Sequence, residues 1–485
     1  MGRPTRRFCA HRLNRSVRWP APSQKVSVGA VFVASMFMNI MDSTIVNVAV
    51  PTLARQFDVP VTSVGAVVVA YLVSLAVFIP ASGWLGDRFG TKRVLLVAVA
   101  LFTGASALCG AADSLLALIA FRILQGAAGG LLTPVALAML LRTFPQHERM
   151  QASRILIIPM VLAPALGPVL GGLLVDDLSW RWIFFVNVPI GVAVLLFGLV
   201  FVREHREPNA GRFDGAGFAL AGLGLGLLMF AISEGPGYGW SSPVILATLL
   251  GGLLVLGLLV PLELRRPEPL LELRLLADRL FAINNVVSLL AAVAFLGSLY
   301  VFPLYLQDGR GTSALTAGLA TFPEAIGVMV CSQLVAQLYP RVGPRRLIAG
   351  GLLGVTVCTT LLGLAGANTD LWVLRGLLFA LGGAMAGVFN PIQTAAFATT
   401  SRAATGRAST IFNTQRQLGG ALGVAALTTV LAIVHPTIPG PTGAPQPNLA
   451  AYHAAFLTAA GVALVAALIA LTIRDADAEA TMRRV

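Results

Sequence analysis

Gly83-Trp84-Leu85-Gly86-Asp87-Arg88-Phe89-Gly90-Thr91-Lys92-Arg93 is the stretch whose reading decides the fold. Largely apolar residues run from Val64 to Leu85 and again from Val94 to Ala112, each run long enough to cross a bilayer. A charged, glycine-bearing turn between two such runs can only be a short loop holding two spanning helices together. The turn recurs as Tyr339-Pro340-Arg341-Val342-Gly343-Pro344-Arg345-Arg346, and the recurrence predicts an architecture built twice.

Composition agrees with a membrane-embedded chain. Of the 485 residues 56% are hydrophobic and 11% charged, with mean hydropathy +0.82. Soluble domains carry about 25% charged residues. A net charge of +13 would suggest nucleic acid in a soluble chain, but here the basic residues sit in short loops, where they set orientation. Cys9, Cys109, Cys331 and Cys358 form no close pair, so neither a disulfide framework nor a metal site is expected. No G-x-x-x-x-G-K-[ST] phosphate cradle and no Ser/His/Asp cluster occurs, which argues against bound ATP as energy source and against an enzyme.

Apolar runs of about 18 residues or more predict fourteen spanning helices: 27–50, 62–85, 94–112, 114–141, 153–175, 182–202, 215–233, 244–262, 281–306, 314–338, 346–366, 369–391, 408–434 and 452–473. The weakest are 215–233 and 244–262. Basic residues test the count independently. With alternating loops, 28 of the 34 fall on one side, and Arg55, Arg181 and Arg310 on the other. Arg122, Arg375 and Arg416 lie inside spans. The asymmetry predicts both termini in the cytoplasm, in a multi-pass protein of the cell membrane.

One offset relates the two halves. Arg88, Gly90, Arg122, Gly129, Arg154 and Gly167 each find an identical residue 253 positions on, at Arg341, Gly343, Arg375, Gly382, Arg407 and Gly420. The predicted divisions are a basic tail at 1–25, a six-helix half at 26–202, two inserted helices with their loops at 203–280, a second six-helix half at 281–473 and a tail at 474–485. Parallel repeats about an axis along the membrane normal are a transporter plan, with substrate held near the midplane.

These features carry a resemblance. The chain resembles the major facilitator superfamily, and within it the fourteen-span drug:proton antiporters that include multidrug and quaternary-ammonium efflux pumps. Met41-Asp42-Ser43-Thr44-Ile45-Val46-Asn47-Val48-Ala49-Val50-Pro51 is similar to the first-span signature, and Gly83 to Arg93 to the loop 2–3 motif. Arg122, Gln125, Gly126 and Gly129 resemble the span-4 motif. Gly167, Pro168, Gly171 and Gly172, preceded by Pro159 and Pro164, resemble the span-5 antiporter motif. Trp180-Arg181-Trp182 through Asn187-Val188-Pro189-Ile190-Gly191 resembles the start of span 6 in this branch. The resemblance implies an all-α fold of two six-helix halves plus two inserted helices. It also implies export rather than uptake, and a proton-coupling or electrostatic role for Arg122.

The residues can also be read directly. Ser35, Asn39, Ser43 and Asn47 recur every fourth residue beside Asp42, which puts them on one helical face. Against lipid such a stripe leaves polar groups unsatisfied; against a water-filled cavity it does not. Asp42 is therefore expected beside the cavity in a proton- or substrate-linked role, the alternative being helix packing through an interhelical bond. Glu324, after Pro323, lies about 15 Å along span 10, close to mid-membrane. One carboxylate that takes either a proton or a cationic substrate would couple the two flows. Arg122 is expected in the same machinery, or simply paired with an acid such as Asp42. Asn39, Asn47, Gln125, Asn413 and Arg416 are candidate cavity lining. Gly83, Asp87, Arg88, Gly90, Lys92 and Arg93 are expected to latch the halves at the cytoplasmic face. Gly167 with Gly171 lets a neighbouring helix approach closely.

The expected function is proton-driven export of lipophilic, cationic drugs or related metabolites by a monomer in the bilayer, with a proton gradient and no cofactor. An uptake or single-metabolite carrier of the same fold, and a non-transporting sensor or scaffold, are the alternatives.

Overall fold

The computed structural model describes residues 23–144, 149–206, 213–266, 269–400, 404–439 and 445–482. Residues 1–22 of the basic tail and 483–485 of the other tail lie outside them, as do the side chains of Arg154 and Pro159.

Fourteen helical spans follow the apolar runs. They are span 1 (Gln24–Phe57), 2 (Val61–Phe89), 3 (Thr91–Gly110), 4 (Leu115–Thr143), 5 (Arg149–Asp177), 6 (Trp182–Phe185 then Asn187–Phe201) and 7 (Gly215–Tyr238). Then come 8 (Pro243–Arg265), 9 (Arg279–Leu304), 10 (Ala314–Val342), 11 (Pro344–Leu362), 12 (Leu371–Ala396), 13 (Thr405–Val434) and 14 (Leu449–Ala470). Thirteen are long and apolar enough, on their described residues alone, to cross a membrane. Spans 7 and 8, the weakest by sequence, are among them.

Several of the short polar breaks between runs are helix caps, which is why those spans start where they do. Ser114, Asp278, Ser313, Asp370 and Asn448 each accept a backbone N–H from the first turn of the helix they precede. Most helices outrun their apolar cores, because capping and the flanking polar residues carry helical backbone past the bilayer limit. Span 6 breaks at Val186, where Pro189 has no N–H to offer the carbonyl four residues earlier. Span 9 runs into a five-residue π-turn, Tyr305–Gly309, after Pro303.

Spans 1 to 6 pack together and spans 9 to 14 pack together. The halves meet along two seams, span 5 on span 10 and span 2 on span 13. Spans 7 and 8 pair with each other, and span 7 lies against both span 2 and span 13, covering that seam. The outer side of span 8 presents Leu250, Leu254 and Leu258, as lipid requires.

Among the described residues, every hydrogen bond and ion pair between the halves is at the end of the bundle opposite the termini. Gln307 Nε2 donates to Val48 O at 2.9 Å, and Arg55 lies 3.9 Å from Asp308. Asp176, at the end of span 5, accepts the backbone N–H groups of Ala314 and Leu315, capping span 10 across the seam at 3.3 and 2.7 Å. Within the second half, at the end that carries the termini, an opening of about 530 Å³ between spans 10 and 12 is lined by Tyr339, Asn390, Gln393 and Phe397 among others.

Candidate functional site

Asp42 and Arg122 are both 0% exposed and form an ion pair inside the first half, Arg122 Nη1 donating to Asp42 Oδ2 at 2.5 Å. The other carboxylate oxygen accepts from Gln125 Nε2 and from Asn187 Nδ2, each at 2.8 Å. Arg122 Nη1 also donates to Gln125 Oε1 at 2.7 Å, and its guanidinium lies 4.0 Å over the ring of Tyr71. Asn187 reaches Ser106 Oγ at 3.1 Å. Spans 1, 3, 4 and 6 are thus stitched by a neutral set of buried polar groups, with Arg122 Nη2 left unpartnered.

This corrects the placement of Asp42 beside a cavity. The four-residue spacing did put it on a polar face, but that face meets other helices. Gln125 is likewise fully buried and not cavity lining. Asn39 also turns inward, accepting from Tyr71 Oη at 2.7 Å and donating to Thr133 Oγ1 at 3.2 Å. Asn187 enters the sequence reading only within the span-6 motif and with no role at the site. The signal for one was available: it is the one polar amide, hydroxyl or charge between Arg181 and Arg203.

Glu324 is different. It is the eleventh residue of span 10, 7% exposed, and no hydrogen bond or ion pair reaches its carboxylate among the described residues. Its mate at the 253-residue offset is Tyr71, the ring beneath Arg122. The mates of Asp42 and Gln125 are Phe295 and Leu378, both buried. The carboxylate and the span-4 amide of the first-half cluster are therefore apolar in the second half, where Arg122 is still matched by Arg375, and the unpaired acid stands where the first half has a phenol.

The sequence pattern of the Major Facilitator Superfamily matches residues 32–424. The chain belongs to this superfamily. Relatives include a Mycobacterium tuberculosis protein named Multidrug resistance protein B homolog, 31% identical over 84% of this chain and 76% of its own length. The Putative multidrug resistance protein MdtD of Pectobacterium atrosepticum is 32% identical over 84% of this chain and 88% of its own. The M. tuberculosis Multidrug resistance protein Stp is 34% identical over 82% and 74%. In shape the chain is similar to the POT family transporter PepTSo, with TM-score 0.66 and 14% identity, over 93% of this chain and 97% of that one. A D-xylose-proton symporter gives TM-score 0.66 at 16% identity, over 93% and 99%.

In this facilitator the loop 2–3 motif holds its own half together. Asp87 pairs with Arg142 of span 4 at 2.8 Å, not with the second half, so the expected cross-half latch is not what this structure contains. Lys92 and Arg93 give their backbone N–H groups to Glu204, just past span 6, at 2.9 and 3.1 Å. Arg88 belongs to the last turn of span 2, and a Cβ on Gly83 would meet open space. Gly90 takes φ of +100°, and its mate Gly343 +83°. There Asp475, just past span 14, accepts the N–H of Arg345 at 2.9 Å. Each half thus closes its loop with an acid from beyond its last span.

Span 5 is wedged between spans 1 and 10. A Cβ on Gly171 would sit 2.9 Å from Ile45 O, and one on Gly172 2.7 Å from Leu315 N in the other half. Gly167 faces Thr44, and the Pro168 carbonyl is crowded by Gly318 of span 10; Pro164, one turn before Pro168, completes the same stretch. Asn47 is half-buried with Oδ1 unpartnered, and Asn413 donates back to Ser409 O at 2.9 Å. Arg416 lies 5.2 Å over the ring of Phe389 and makes no ion pair among the described residues.

Proposed function

We propose that this facilitator is a proton-driven exporter of lipophilic, cationic small molecules, working by alternating access. Glu324 carries the reading: a carboxylate deep in a span next to the seam, with no partner of its own among the described residues. Such a group is costly to keep in a membrane without a purpose. It binds a proton or a cationic cargo, not both, so release of cargo outward is tied to proton uptake.

The basic asymmetry supports termini in the cytoplasm of a cell-membrane protein. The joined end is then external, and the end without cross-half bonds among the described residues internal, the state that loads cargo from inside. Asp42 has a supporting role, keeping Arg122 paired and the first half rigid. Energy comes from the proton gradient with no bound cofactor, and a monomer suffices. The relatives named for multidrug resistance support a broad substrate range.

Ethidium accumulation in cells expressing the chain tests this. An exporter lowers accumulation, and a protonophore restores it. Raised accumulation favours an uptake carrier, and no change with any cation favours a sensor or scaffold.

A further inference from the structure

At the base of the inserted pair, on the side of the termini, two carboxylates are buried against each other. Asp214 caps span 7 and Glu263 lies near the end of span 8, 4% and 1% exposed. One oxygen of each is fully used. Asp214 Oδ1 accepts from Gly217 N at 2.8 Å and from the guanidinium of Arg266, and Glu263 Oε2 accepts from Leu271 N at 2.9 Å. The other oxygens, Asp214 Oδ2 and Glu263 Oε1, are buried without a partner. Both face one small space over Gly217. A Cβ there would lie 2.7 Å from Asp214 Oδ2 and nearer still to Glu263 Oε1.

Two buried anions beside one guanidinium leave a negative charge uncompensated among the described residues. Of the other ionisable groups on the packed elements, Asp87 pairs with Arg142, and Arg274 and Arg407 both pair with Glu272. Arg88 and Arg265 form no ion pair with either acid among the described residues. Carboxylates that share a site resolve such a charge by taking up a proton, and a proton between the two free oxygens satisfies both at once. We propose that Asp214 and Glu263 hold a single proton between them, a proton-binding site in the inserted pair that is separate from Glu324.

The site has a mechanical output. Glu263 holds Leu271, and Arg274 donates to Leu264 O at 2.7 Å, so the segment after span 8 is strapped to that helix. Its Glu272 pairs with Arg407 in the first turn of span 13 at 3.0 Å. Loss of the proton sets the two carboxylates against each other and loosens the strap at Leu271.

Thermal unfolding of the full-length protein in detergent, followed from pH 5 to pH 9, is the test. The folded state holds a proton that the unfolded chain releases, so this pair makes stability fall as pH rises, by up to about tenfold per pH unit in the folding equilibrium. In Glu263→Gln the amide supplies the bridging hydrogen at every pH, and its unfolding midpoint gains on the wild type as pH rises. Asp214→Asn supplies it from the other side and shows the same gain. Parallel wild-type and variant curves overturn the proposal. So does a midpoint raised by sodium or calcium chloride over choline chloride, which would put a metal cation in the gap. Should both variants misfold, infrared spectra of Glu324→Gln protein decide. A protonated carboxyl C=O stretch that persists at pH 7 supports the shared proton, and its absence overturns it.

Discussion

Asp42 and Arg122, 80 residues apart in sequence, meet at 2.5 Å where neither has any exposure to solvent. Removing one partner from a buried pair strands the other and typically destabilises by about 3–5 kcal/mol. Asp42→Leu and Arg122→Leu are each expected to lower the unfolding midpoint sharply, whereas the double variant loses less than the two together. Additive losses in this cycle would mean that the two charges are held independently.

Glu204 and Asp475 do the same task in the two halves, closing the turn onto the N-terminus of span 3 and of span 11. Glu204→Ala and Asp475→Ala are each expected to lose about 1 kcal/mol, the range of a lost helix cap. The sites are far apart, so the losses should add in thermal unfolding.

Gly172 and Asp176 hold the end of the span 5–10 seam opposite the termini. Gly172→Leu has no room for its side chain against Leu315, so it should force that end apart. Asp176→Asn loses the charged cap on span 10, about 1 kcal/mol, which shifts a two-state gate about fivefold. With a single cysteine placed at Val48, both variants should label faster than the parent with a membrane-impermeant maleimide. Unchanged labelling would show that the seam is held elsewhere.

Much of the architecture is legible in the sequence because a bilayer leaves few choices. A run of apolar residues must be a spanning helix, and Arg or Lys must collect on one side of it. The 253-residue offset between Arg122 and Arg375 reveals the doubled plan in the same direct way. The site is harder. Periodicity places Asp42 on a polar face but says nothing of what that face meets, since water and the amide of Asn187 satisfy a carboxylate equally well. Arg142 was hidden for another reason: it sits among basic loop residues that orientation alone accounts for, so nothing marked it as the partner of Asp87. Glu204 and Asp475 escape because the chain between each glycine and its acid differs in length in the two halves. No single offset relates them.

The central claim is that Glu324 exchanges a proton for cargo, and transport in proteoliposomes under an imposed pH gradient measures this most directly. Wild-type protein is predicted to move a divalent cationic dye against its gradient only while the pH gradient stands, and Glu324→Gln to lose that movement while still folding and binding neutral amphiphiles. Gradient-driven transport of the dye by Glu324→Gln at the wild-type rate would contradict the account.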